Sequence, residues 1–129
     1  MSTQQLLTDA KNTVLALKKE EQRNINPYAS FAHQMIGLIG DNKVKTKADV
    51  LAFTRASYSR PNLNRQWRLF GNVLEKQLPM NINQEDMLTF FGYLKRMLTI
   101  EGKKEFENKN KHSFEKKSYS PNNYRGNKK

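Results

Sequence analysis

The chain has 129 residues, 36% of them apolar, no cysteine, and 23 Lys and Arg against 12 Asp and Glu, a formal charge of +11. That length and apolar share support one modest core, and the lack of thiols excludes disulfides, thiol catalysis, iron–sulfur clusters and cysteine-ligated zinc. The charge favours polyanionic partners: nucleic acid, an anionic lipid surface or an acidic protein face.

Helical periodicity recurs along the chain and no stretch alternates polar and apolar residues in a β-branched run, so the expected fold is all-α, a compact bundle of about five helices with a basic C-terminal tail. The first helix begins after Ser2 or Thr3 and carries Leu6, Leu7, Ala10, Val14 and Leu17 on one face, with Leu15 pointing elsewhere. In the second, Asn26 reads as the cap and Pro27 as the first helical residue. Tyr28, Phe31, Ala32, Met35, Ile36 and Ile39 make its apolar stripe, and Gly40 is the expected stop. Thr46 and Asp49 have the spacing of a capping box for a short third helix buried through Val50, Leu51 and Phe53. SRPN breaks it. The fourth helix runs from near Asn62 to Leu78, ahead of Pro79. Asn83 with Asp86 opens the fifth, whose apolar set is Met87, Phe90, Phe91, Leu94, Met97 and Leu98.

From Glu101 the composition turns polar and the apolar stripe lapses, which divides the chain into a helical domain over 1–101 and a basic, aromatic-containing, flexible tail over 102–129, with room for the fifth helix to run a turn or two into KKEFENKNK. Residues 101–129 hold nine basic and four acidic groups, net +5, leaving +6 on residues 1–100. Both parts are cationic. The start, MSTQQLLTDAKNTVLALKK, lacks the basic and apolar regions of a secretion signal, and the longest apolar run, MIGLI, falls far short of the roughly 20 residues of a membrane span. The expected location is the cytoplasm, with no membrane partner.

The stretch SYSRPNLNRQWRLFGN, residues 57–72, holds the only tryptophan and three arginines. Setting each residue 100° round the fourth helix places Leu63, Trp67, Phe70 and Leu74 on one face, so Trp67 is expected in the core and not as an exposed base-stacking platform. Arg65, Arg68, Asn72 and Lys76 fall on the opposite, solvent side. No acid stands between Asp49 and Glu75, whereas Arg55, Arg60, Arg65 and Arg68 all do. That is an uncompensated +4 in the residue type whose planar fork suits phosphate. Asn64 at the helix start adds an amide. In the tail, Tyr119, Tyr124 and Arg125 mix rings with cations, the composition of segments that bind single strands.

Other motifs carry less. The Ile-Gly-x-x-Gly-x-x-x-Val form of IGLIGDNKV resembles the loop by which KH domains clamp a nucleic-acid backbone, but Leu38 and Ile39 extend an apolar helix face where that loop displays small or basic residues. His33 and His112 stand alone, without metal-ligand spacing, and no glycine-rich loop precedes a lysine. The pairs Glu20–Glu21 and Glu85–Asp86 read as helix-end charges. No catalytic constellation, cofactor or metal is expected.

The leading expectation is a non-enzymatic nucleic-acid-binding protein that holds phosphates of RNA or single-stranded DNA, in preference to duplex, with little sequence readout. The alternative is a small helical subunit, adaptor or inhibitor within a larger protein or nucleoprotein complex, binding mainly protein. In size, helicity and basicity the chain is similar to the small helical subunits of type III CRISPR effector complexes, which line a nucleic-acid channel while packing on other subunits; a phage-encoded inhibitor of a host nucleic-acid machine has the same profile.

Overall fold

A computed structural model describes residues 2–21, 24–57 and 63–117, with side chains to residue 105. Five helices follow in order: α1 (Thr3–Glu20), α2 (Asn26–Gly40), α3 (Lys47–Ala56), α4 (Asn64–Gln77) and α5 (Gln84–Lys117), and the described residues contain no strand. α5 packs along α2 and α1, while α4 lies against α1, α3 and α2.

Local chemistry sets most helix ends. The Ser2 side chain accepts from the Gln5 N–H at 3.1 Å, and Thr46 and Asp49 form the reciprocal capping box. Asn83 accepts from the Asp86 N–H at 2.8 Å. Each satisfies a backbone donor that a helix start leaves unpaired. Two ends differ from expectation in detail. Asn26 is already helical, with Ile25 as cap, and it is Asn24 whose side chain accepts from the Asn26 N–H. α2 does end at Gly40, as expected, but the glycine is not the turning residue: Asn42 takes the left-handed conformation at φ 61°. The N–H groups of Asn42 and Lys43 return to the carbonyls of Ile39 and Leu38, a Schellman closure in which asparagine takes glycine's usual place. At the end of α4, the Lys47 ammonium donates to the carbonyls of Glu75 and Leu78, both at 2.7 Å, where the helix dipole also favours a cation.

The core is aromatic at its centre. Trp67 is fully buried and stacks on Phe31 with ring centroids 3.8 Å apart, and Phe53 and Phe70 meet it edge-on. Tyr28 closes the cluster against Phe31 and Phe70. From α5, Met87, Phe90, Phe91, Leu94 and Leu98 are buried and Met97 half-buried. From α1, Leu6, Ala10, Val14 and Leu17 are buried and Leu7 half-buried, while Leu15 is exposed as expected.

α5 continues beyond residue 101 as helix to Lys117, further than the turn or two that the sequence suggests. The reason lies in its inward face. Glu101 bridges to Lys18 at 2.7 Å, Gly102 is buried against the Asn26 side chain, and Glu105 accepts from the Ile25 N–H at 3.2 Å. These contacts anchor the α1–α2 junction. The Lys18 hydrogen bond, opposed by burial, holds the Glu101 carboxyl below its usual range. His112 therefore belongs to the α5 backbone, while Tyr119, Tyr124 and Arg125 lie outside the described residues. No described helix is long and apolar enough to cross a membrane.

Candidate functional site

α4 is amphipathic because its apolar residues recur at helical spacing: Trp67, Phe70, Val73 and Leu74 are buried, leaving Arg65, Arg68, Asn72 and Lys76 exposed on the other side. Arg68, Asn72 and Lys76 are each four residues apart and so line up along one ridge about 12 Å long, at 1.5 Å per residue.

The structure joins the lower half of that ridge to α1. Asn72, Lys76 and Gln77 face Lys19 and Glu20 across a surface cleft of about 370 Å³. Its floor is apolar, made by Ala16, Leu69 and Val73. None of the cleft's five polar side chains makes a hydrogen bond or ion pair with another described residue, so their donors and acceptors are available to a ligand. Lys19, Glu20 and Gln77 are absent from the sequence expectation. No local pattern marks them, because only the crossing of α1 over α4 puts them beside Asn72 and Lys76.

Arg65 departs from the expected uncompensated charge. Its Nη2 donates to Glu21 Oε1 at 2.8 Å and to Oε2 at 2.9 Å. The Glu21 carboxylate is buried, with its side chain 1% exposed, and also accepts from the Tyr28 hydroxyl at 2.6 Å. Glu21 is thus not a solubilising helix-end charge, and one of the four arginines in the acid-free interval between Asp49 and Glu75 is balanced in space by a residue 44 positions away. The hydrogen bond from Glu21 raises the Arg65 guanidinium further above its already high value.

Tyr28 carries the other half of this network. Burial first, then the hydrogen bond and charge of Glu21, push its hydroxyl well above the ordinary tyrosine value near 10. Ionising it would set a phenolate against a buried carboxylate. A folded-state value above the unfolded one gives stability that is complete below about pH 10 and is lost as pH rises beyond it. Urea unfolding followed from pH 8 to 11 is therefore expected to show stability falling above about pH 10, with a shallower fall in Tyr28→Phe. Equal slopes for the two proteins would show that Tyr28 does not govern the alkaline limb.

The remaining expected residues are dispersed. Arg55 is exposed in the last turn of α3, and Asn64 is exposed at the first position of α4. Arg60 lies outside the described residues. His33 Nδ1 accepts a hydrogen bond from the Lys95 ammonium at 3.1 Å, and among the described residues no group of three or more His, Cys, Asp or Glu is placed to hold a metal ion. The chain matches no family model, no curated protein and no solved structure.

Proposed function

We propose that the chain is a non-enzymatic nucleic-acid-binding protein that contacts the phosphates of RNA or single-stranded DNA through the exposed side of α4 and the adjoining end of α1. The observation that carries this reading is the placing of Lys19 and Lys76 on one cleft, without partners among the described residues, on a chain of charge +11. Arg68 and Asn72 extend the same ridge, and Arg55 adds charge at the end of α3. Arg65 contributes less than its sequence position suggests, because Glu21 already balances it.

A second reading, a subunit that binds mainly protein, is favoured by one observation: Leu15 is 55% exposed beside Val14 and Met97 in a shallow groove between α1 and α5. The two readings separate by salt. A labelled single strand is expected to bind the full chain tightly at low salt and to weaken steeply toward physiological salt, as phosphate contacts release counterions. Lys19→Ala with Lys76→Ala should lower the slope of log affinity against log salt by about 1.4, at about 0.7 per single-strand phosphate contact. Absence of binding to either strand type at low salt, measured by fluorescence anisotropy, would remove the nucleic-acid reading and leave the protein-binding one.

A further inference from the structure

The lining of the α1–α4 cleft is too mixed for a site that holds phosphate alone. A pure anion trap gathers cations and N–H donors, yet here a carboxylate, Glu20, lines the cleft together with the lysines, and two carboxamides, Asn72 and Gln77, supply both donors and acceptors. Beneath them the floor is aliphatic. A ligand matched to this set has an anionic end, a flat or apolar body and an edge bearing hydrogen-bond donors and acceptors.

We propose that the cleft takes one unstacked nucleotide of a single strand, a specialisation that rests on the nucleic-acid reading above. The phosphate lies between Lys19 and Lys76, the base covers Ala16, Leu69 and Val73, and Asn72, Gln77 and Glu20 meet its edge. A carboxylate accepts from an exocyclic amine or a ring N–H, and a carboxamide pairs with a donor–acceptor edge. At about 370 Å³ the cleft falls near the lower end of small-molecule sites, which span about 300–1,000 Å³, large enough for one nucleotide unit. Duplex bases, stacked and paired, cannot present a face to the floor. The cleft therefore gives the protein a preference for single strands that charge alone would not supply.

The test separates shape from charge. Ala16 is half-buried on the cleft floor, and Ala16→Leu fills that floor while leaving every charge in place. With the full chain and a labelled single strand, Ala16→Leu is expected to lower affinity about tenfold with an unchanged salt slope, and to leave affinity for the corresponding duplex as it was. Unchanged single-strand affinity in a variant with wild-type helical signal would overturn the nucleotide site and leave the phosphate-contacting reading standing, whereas a wild-type chain that binds no strand would end both. A second measurement needs no variant. In NMR titrations of the wild-type chain, a nucleoside monophosphate is expected to shift the methyl signals of Ala16 and Leu69, and ribose 5-phosphate is not. Equal shifts from the two probes, or none from either at millimolar concentration, would overturn the proposal.

Discussion

Trp67→Ala is expected to destabilise the protein by about 3–5 kcal/mol, the usual cost of truncating a large buried aromatic. The ring is fully buried, stacked on Phe31 and bordered by Phe53 and Phe70, so its removal opens a cavity at the meeting of α2, α3 and α4. The surrounding rings are held by their own helices and cannot all close on the gap. Trp67→Phe tests the same site with a different balance. The smaller ring loses packing, but it also deletes an indole N–H that is buried without an acceptor among the described residues, a group that costs about 1–3 kcal/mol when left unpaired. The expected net loss is about 1 kcal/mol. Chemical denaturation followed by circular dichroism measures both. If Trp67→Phe were as damaging as Trp67→Ala, the indole N–H would have to find a partner in the folded protein, and its burial would be stabilising.

The assignment of Trp67 to the core follows from spacing alone, because the 100° step of a helix places it with Phe70 and Leu74 whatever the rest of the chain does. The five helices are legible for the same reason: caps such as Ser2, Thr46 and Asn83 act over three residues. What spacing does not reveal is set by tertiary contact. The inward face of α5 continues from Leu98 through Gly102 to Glu105 at helical intervals, but a glycine packed on Asn26 and a carboxylate holding the Ile25 N–H look like polar tail in a hydropathy reading. Asn42, not the neighbouring Gly40, supplies the left-handed turn, a choice made by backbone hydrogen bonds to Leu38 and Ile39.

The site divides along the same line. The exposed row Arg65, Arg68, Asn72 and Lys76 is readable from α4's own periodicity, whereas Lys19, Glu20 and Gln77 become part of a cleft only through the packing of α1 on α4. Glu21 shows the stronger form of the effect. A glutamate at the end of a charged helix has the sequence signature of a solvated residue, and nothing local distinguishes it from Glu20 beside it. Only the turn into α2 directs one carboxylate toward Tyr28 and Arg65 and leaves the other exposed.

That contact reverses the expectation that Arg65 is a surface cation whose loss is felt only in binding. Arg65→Ala is expected to cost about 2–3 kcal/mol, because it removes both guanidinium hydrogen bonds from a Glu21 carboxylate held where water scarcely reaches, while the bond from the Tyr28 hydroxyl stays. The figure lies below the 3–5 kcal/mol or so for breaking a fully buried pair, since the Arg65 side chain is 51% exposed and its end of the pair is screened by solvent. Arg68→Ala, one turn along the same exposed ridge, provides the comparison and should change stability less. Glu21→Gln removes the charge while keeping an acceptor for the Tyr28 hydroxyl, so the double variant Glu21→Gln with Arg65→Ala should be more stable than Arg65→Ala alone. A double-mutant cycle in urea then isolates the pair, with a coupling energy of about 1–3 kcal/mol expected for residues in one ion-pair network. Coupling near zero would mean that Glu21 is satisfied without Arg65; the guanidinium would then be available to phosphate, and Arg65→Ala would weaken nucleic-acid binding at no cost to the fold.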